Sequence, residues 1–165
     1  MNKKFLLFLF INLLFVSLIC YSQQKEKIKF GLRYSVKSHQ FIFLDDVPNH
    51  KMGLASGTGI AYLKDAATAN VDVYFVYDYV SGSESFIENY VIHMSDSSKI
   101  TIKAVGNSYG DEYFPMFTGD VTIMNGTGSY KGIRGKGKMN GDRKSALDDS
   151  AVVNLNFDLE YYYEN

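Results

Sequence analysis

At 165 residues the chain has room for one domain of ordinary size and not two. It carries 13 Tyr and 12 Phe with no Trp and only two Pro, a composition rich in strand formers. The 17 basic and 18 acidic residues nearly cancel, which argues against nucleic acid or an anionic membrane as the main partner.

The first elements in chain order are those of a leader. Lys3 and Lys4 precede an apolar run from Phe5 to Ile19, broken only by Asn12 and Ser17 and followed by Cys20, Tyr21 and Ser22. A positive start, a short apolar middle and a small residue at the end describe a secretory signal peptide over residues 1–22. The run is shorter than the ~20 residues that span a bilayer, so the mature chain is expected to have no transmembrane segment. Cys20 as a lipid-modified anchor is disfavoured by the bulky Ile19 before it. The expected product is a single domain, residues 23–165, exported to the periplasm or the medium. It would lack the one cysteine, so disulfides, thiol nucleophiles and cysteine–metal sites are not expected.

The mature chain reads as strands and turns. From Ile28 to Val36, Ile28, Phe30, Leu32, Tyr34 and Val36 alternate with Lys29 and Arg33, the pattern of a strand with one buried face. Phe41–Leu44 extends it or forms an edge, and Asp45-Asp46-Val47-Pro48-Asn49 supplies turn chemistry. Gly53, Gly57 and Gly59 punctuate the next strand and suggest a bulge or barrel corner. Val71–Val80 is almost wholly β-branched or aromatic. It is followed by a turn at Ser81–Ser83 and strands over Ser85–Ser95 and Lys99–Val105. After a polar loop from Asn107 to Pro115 come Met116–Met124, Ile133–Met139, a charged loop from Asp142 to Ser150, and the cleanly alternating Ala151–Tyr163. Seven to nine closely spaced strands with no amphipathic helix suggest a closed antiparallel barrel or a sandwich.

From Asn125 to Gly137, after the strand Met116–Met124 and running into Ile133–Met139, lies a stretch with Gly126, Gly128, Gly132, Gly135 and Gly137, read as a tight reversal with Asn125-Gly126 as its hairpin turn. This segment resembles the glycine-rich connection between two late strands of the allene oxide cyclase and dirigent-like β-barrels. Asp45–Lys51 is similar to the D-x-V-P-x-x-x-K run of allene oxide cyclases, and Gly53–Leu63 looks like their next glycine-punctuated strand. The resemblance implies an eight-stranded antiparallel barrel with a cavity, often assembled as a dimer or trimer. It carries over no catalytic residue. The first strand, Ile28–Lys37, has no acidic residue at the place of the cyclase glutamate, and no position matches the acidic and arginine residues of dirigent cavities.

Glu88 is the residue with most chemical interest, because it shares a strand face with Phe86, Tyr90, Ile92 and Met94. Inside an apolar cavity its pKa would rise and it would serve as an acid or base, with Tyr34 and Tyr90 lining a binding pocket. The more ordinary arrangement puts Ile87, Asn89, Val91 and His93 inward and leaves Glu88 solvated. His39, His50 and His93 have no metal-ligand spacing, so neither metal nor cofactor is expected. The glycine segment lacks the phosphate-loop pattern and leads into a strand, not a helix. Lys131, Arg134, Lys136 and Lys138 read as a solvated face. The combined reading is an exported barrel that binds a small apolar or aromatic molecule without catalysis. The alternatives are a cavity isomerase or cyclase using Glu88, and a packed barrel that works through its surface loops.

Overall fold

The computed structural model describes residues 24–164. The proposed leader, its cleavage point and Cys20 lie outside them. Eight strands follow one another: β1 (Glu26–Phe43), β2 (His50–Tyr62), β3 (Thr68–Val80), β4 (Ser83–His93), β5 (Lys99–Tyr109), β6 (Met116–Gly126), β7 (Ile133–Arg143) and β8 (Val152–Tyr163). Each pairs antiparallel with its sequence neighbour, and β1 pairs with β8, so the sheet closes into an up-and-down barrel. Closure resolves the choice between barrel and sandwich. It also gives every strand two partners, which removes most of the exposed sheet edge.

Alternation decides what fills the barrel. Phe30, Leu32, Tyr34 and Val36 of β1 face inward, as do Val71, Val73, Phe75 and Tyr77 of β3 and Val153, Leu155, Phe157 and Leu159 of β8. The lower lumen is packed solid: Phe30 stacks on Phe157 with centroids 4.7 Å apart, and Tyr90 meets Phe157 edge-on at 5.3 Å. Such aromatic contacts add to the area they bury. β7 lies close against β8 because glycine alternates along its inner face. A Cβ at Gly137 would stand 2.0 Å from the Asp158 carbonyl oxygen, so only glycine fits that approach.

Several strand boundaries differ from those read in the sequence; β4, for one, begins at Ser83 and so includes Glu84. Asn125 and Gly126 are still in β6, where Gly126 packs against the Tyr130 carbonyl. The chain reverses later, through a 3₁₀ turn at Gly128–Tyr130 that closes on Gly132 at φ 81°. The hairpin therefore spans more residues than an Asn-Gly turn provides. β5 continues to Tyr109 and β7 to Arg143, so the two loops at that end begin at Gly110 and Lys144. Lys136 and Lys138 stand on the solvated face of β7, as read, and Lys138 pairs with Asp120 at 2.6 Å.

The barrel has two unlike ends. One carries the start of β1, the end of β8 and the 63–67, 94–98 and 127–132 connections. The other, called the mouth below, carries the β1–β2, β3–β4, β5–β6 and β7–β8 connections. At the mouth β1 outruns β8: its pairing with β8 stops at Ser35, while its pairing with β2 continues to Phe43 past an irregularity at Lys37.

Candidate functional site

β4 carries two carboxylates on its inner face. Glu84, Phe86, Glu88, Tyr90 and Ile92 are all buried, which puts Glu88 in the lumen and overturns the solvated alternative. Cross-strand pairing explains how the lumen accommodates it. Glu88 lies between Phe75 of β3 and Ala104 of β5, and the small Ala104 leaves room for the carboxyl.

The structure brings Glu88, Tyr34 and Tyr90 together. The Tyr34 hydroxyl donates to Glu88 Oε1 at 3.1 Å, and the Tyr90 hydroxyl donates to Oε2. Tyr90 Oη also lies 3.7 Å from Met139 Sδ. Burial in this apolar surrounding pushes the Glu88 carboxyl up to about 8, although the Tyr34 hydrogen bond pulls the other way. The neutral acid needs an acceptor for its own proton. Tyr90 provides one by turning its O–H toward the Met139 sulfur and accepting from Oε2 with its lone pair. The triad can thus hold or release a proton without leaving a buried polar group unpaired.

This triad lies below the floor of the open space and does not line it. The space is a cavity of about 140 Å³ at the mouth, and its lining includes His39, Phe41, Lys51, Tyr77, Tyr79 and Glu84 together with Ser108 and Arg143. Tyr34, Glu88 and Tyr90 are absent from that lining, because Tyr77, Glu84 and Arg143 stand above them.

Glu84 and Arg143 were missed in the sequence, although the alternation contained both. Glu84 is two pairs of residues before Glu88 on the same face. Arg143 keeps the parity of Ile133 and Met139, yet the sequence pattern breaks at Asn140-Gly141 and places the arginine in the charged loop from Asp142 to Ser150. Burial raises the Glu84 carboxyl to about 7, and the positive charge of Arg143 opposes that rise. Arg143 is 5 % exposed. Its Nε donates to the Ser145 carbonyl at 2.7 Å and Nη2 to the Glu112 carbonyl at 3.3 Å, with the guanidinium 5.9 Å over the Phe117 ring. Among the described residues no carboxylate lies within ion-pair distance of it. The cavity wall therefore holds a cation oriented by backbone carbonyls and not directly neutralised.

The other polar groups are spread out. His39 Nε2 meets Tyr77 Oη at 2.6 Å, and burial lowers the His39 pKa. His50 bridges Asp46 and Asp78 at 2.7 Å each, and these bonds raise its pKa. His93 meets Asp72 on the outer wall at 2.8 Å. Among the described residues no group of three or more His, Cys, Asp or Glu is placed to hold a metal ion, and no helix is long and apolar enough to cross a membrane.

No family model and no curated protein matches the chain. Solved structures do. A pterocarpan synthase dirigent protein superposes with a TM-score of 0.52 at 11% identity, over 86% of this chain and 90% of that one. A protein of unknown function from Clostridium acetobutylicum ATCC 824 superposes with a TM-score of 0.52 at 17% identity, over 86% of this chain and 99% of that one. At these identities the likeness is one of fold. The chain folds as a dirigent-like β-barrel, eight antiparallel strands closed on themselves.

Proposed function

We propose that the protein is an exported barrel that binds one ring of a small aromatic compound in the mouth cavity, with an anionic oxygen substituent turned toward Arg143. The observation that carries this reading is the lining. Phe41, Tyr77 and Tyr79 supply aromatic walls around a buried guanidinium that has no carboxylate partner. A cavity of about 140 Å³ is close to the ~150 Å³ engineered cavity that admits a benzene-sized guest. A carboxylate accepts two parallel hydrogen bonds from a guanidinium, the stronger kind of ion contact, and a phenolate offers one charged oxygen to the same donors. The packed lower lumen favours a ligand that enters only partway over one that threads the barrel.

The similarity to a pterocarpan synthase dirigent protein supports a barrel that handles aromatic compounds, and the leader read in the sequence supports export. Binding without turnover fits the position of Glu88 under the floor, out of reach of a guest in the cavity. If proton transfer to a guest occurs here, Glu84 is the acid that lines the space, and its value of about 7 suits that work at neutral pH. The test is native mass spectrometry of the secreted protein after incubation with separate panels of benzoates, phenols and fatty acids. Retention of one benzoate or phenol per chain, against none of the fatty acids, is the expected result. Uptake of none of them would remove the reading.

A further inference from the structure

The closed barrel leaves one strand edge open. Past Ser35, β1 has no strand partner on its β8 side, because β8 begins at Val152 and residues 144–151 form a loop, whose Leu147 lines the mouth cavity with His39 and Phe41. The last contact on that side is Val36 N–H to the Ala151 carbonyl. From Ser38 to Phe43 the strand pairs with β2 alone. Among the described residues no backbone group outside β2 bonds to those six residues. The segment contains no charge and no proline, and Ile42 and Phe43 are 62% and 63% exposed. Natural edges are normally guarded by lysine, proline or cover. Here neither lysine nor proline guards the run.

The outer wall beside this edge is also apolar. Leu54, Val76, Ile87 and Val105 stand directly opposite one another on β2, β3, β4 and β5, all exposed. Together with Ile42 and Met52 they line a groove of about 870 Å³ that reaches the edge at Gln40–Ile42. Continued around the barrel, the same row becomes Asp120, Lys138, Asp158 and Lys29, paired as ions at 2.6 and 2.7 Å. The apolar half of the wall is thus on the side of the open strand.

We propose that Ser38–Phe43 pairs antiparallel with the same segment of a second copy, forming a two-fold dimer whose sheet runs continuously from one barrel into the other. The charges flanking the segment argue for a second copy as the occupant. Two-fold antiparallel pairing of edges requires an axis normal to the sheet, so each residue meets one on the same face and of the same parity. Centred on Phe41, this register sets Phe41 against Phe41, His39 against Phe43, and Gln40 against Ile42. It also brings Lys37 of each copy to Asp45 of the other. Both residues are exposed, and neither is in an ion pair among the described residues. The strand is therefore complementary to itself in charge as well as in hydrogen bonding. Ile42 of the second copy would continue the apolar wall, and the open side of the mouth would be covered.

Sedimentation velocity on the secreted protein across a concentration series tests this. A monomer–dimer equilibrium is expected, with dimer populated by about 100 μM. Lys37→Asp places like charges across the two-fold twice and should weaken the dimer about tenfold or more. Asp45→Lys should do the same from a loop position, and the double variant should restore association. Circular dichroism and melting of each variant confirm that the barrel is folded. If Lys37→Asp fails to fold, Asp45→Lys alone decides. A monomer at every concentration overturns the proposal. So does a trimer, or any assembly that neither single variant weakens.

Discussion

Tyr34 and Glu88, 54 residues apart in the chain, meet inside the barrel, where the Tyr34 hydroxyl donates to Glu88 Oε1 at 3.1 Å. The contact joins β1 to β4 across the lumen, between strands that are not neighbours in the sheet. With Tyr90 on the other oxygen it keeps a carboxyl group in the core with both oxygens bonded.

Tyr34→Phe is expected to remove the donor and leave Oε1 buried without it. A lost hydrogen bond of this kind costs about 1–3 kcal/mol, and urea unfolding at pH 6 measures it. The bond also lowers the Glu88 pKa, so its loss should move the titration of Glu88 upward. Carbon-detected NMR of the carboxyl would follow that shift.

Stability should fall as pH rises between about 5 and 8. Glu84 and Glu88 bind a proton more tightly folded, at about 7 and about 8, than unfolded, near 4.3. Their neutral forms therefore favour the fold fully below the unfolded value. That stability is lost as pH rises through each folded value, by about 1.4 kcal/mol per pH unit for each group within its window. His50, raised by Asp46 and Asp78, acts in the same direction, whereas His39, lowered by burial, acts against it. Glu88→Gln keeps the shape without the charge and should visibly flatten the decline in melting temperature from pH 5 to 8.5. A decline of undiminished slope would mean that Glu88 is not the group responsible.

Gly137→Ala should be destabilising by about 2 kcal/mol or more, since the new methyl would meet the Asp158 carbonyl oxygen at 2.0 Å and backbone must move. Gly31→Ala is the control, because there the nearest atoms are at 3.9 Å, an ordinary contact. Thermal melts of the two variants should differ clearly. Equal melting temperatures would show that β7 and β8 are less closely apposed than described.

The strands were legible because each carries period-2 alternation, and β8 shows why: Val153, Leu155, Phe157 and Leu159 are buried while Asn156 and Asp158 are not. Closure was not legible from alternation, since a sandwich uses the same pattern; the glycine-rich resemblance supplied it. The facing of β4 was ambiguous for a physical reason. Ile87 and Val91 are apolar like Phe86 and Ile92, and Ile87 belongs to the exposed apolar wall. A strand apolar on both faces does not announce which one holds the carboxylate. Arg143 and Glu84 stayed hidden because each lies at a strand end beside turn-forming residues, Asn140-Gly141 and Gly82-Ser83. At a barrel mouth, charged residues continue the inward parity where the lumen meets water.

In the proposed function the mouth cavity recognises an anionic ring through Arg143. Calorimetric titration of benzoate into the wild type and into Arg143→Met, with benzyl alcohol as the neutral comparison, tests it most directly. The wild type is expected to bind benzoate more tightly than benzyl alcohol, and Arg143→Met to lose about tenfold or more toward benzoate alone. Equal binding of the two compounds by the wild type, or benzoate binding unaffected by Arg143→Met, would contradict it.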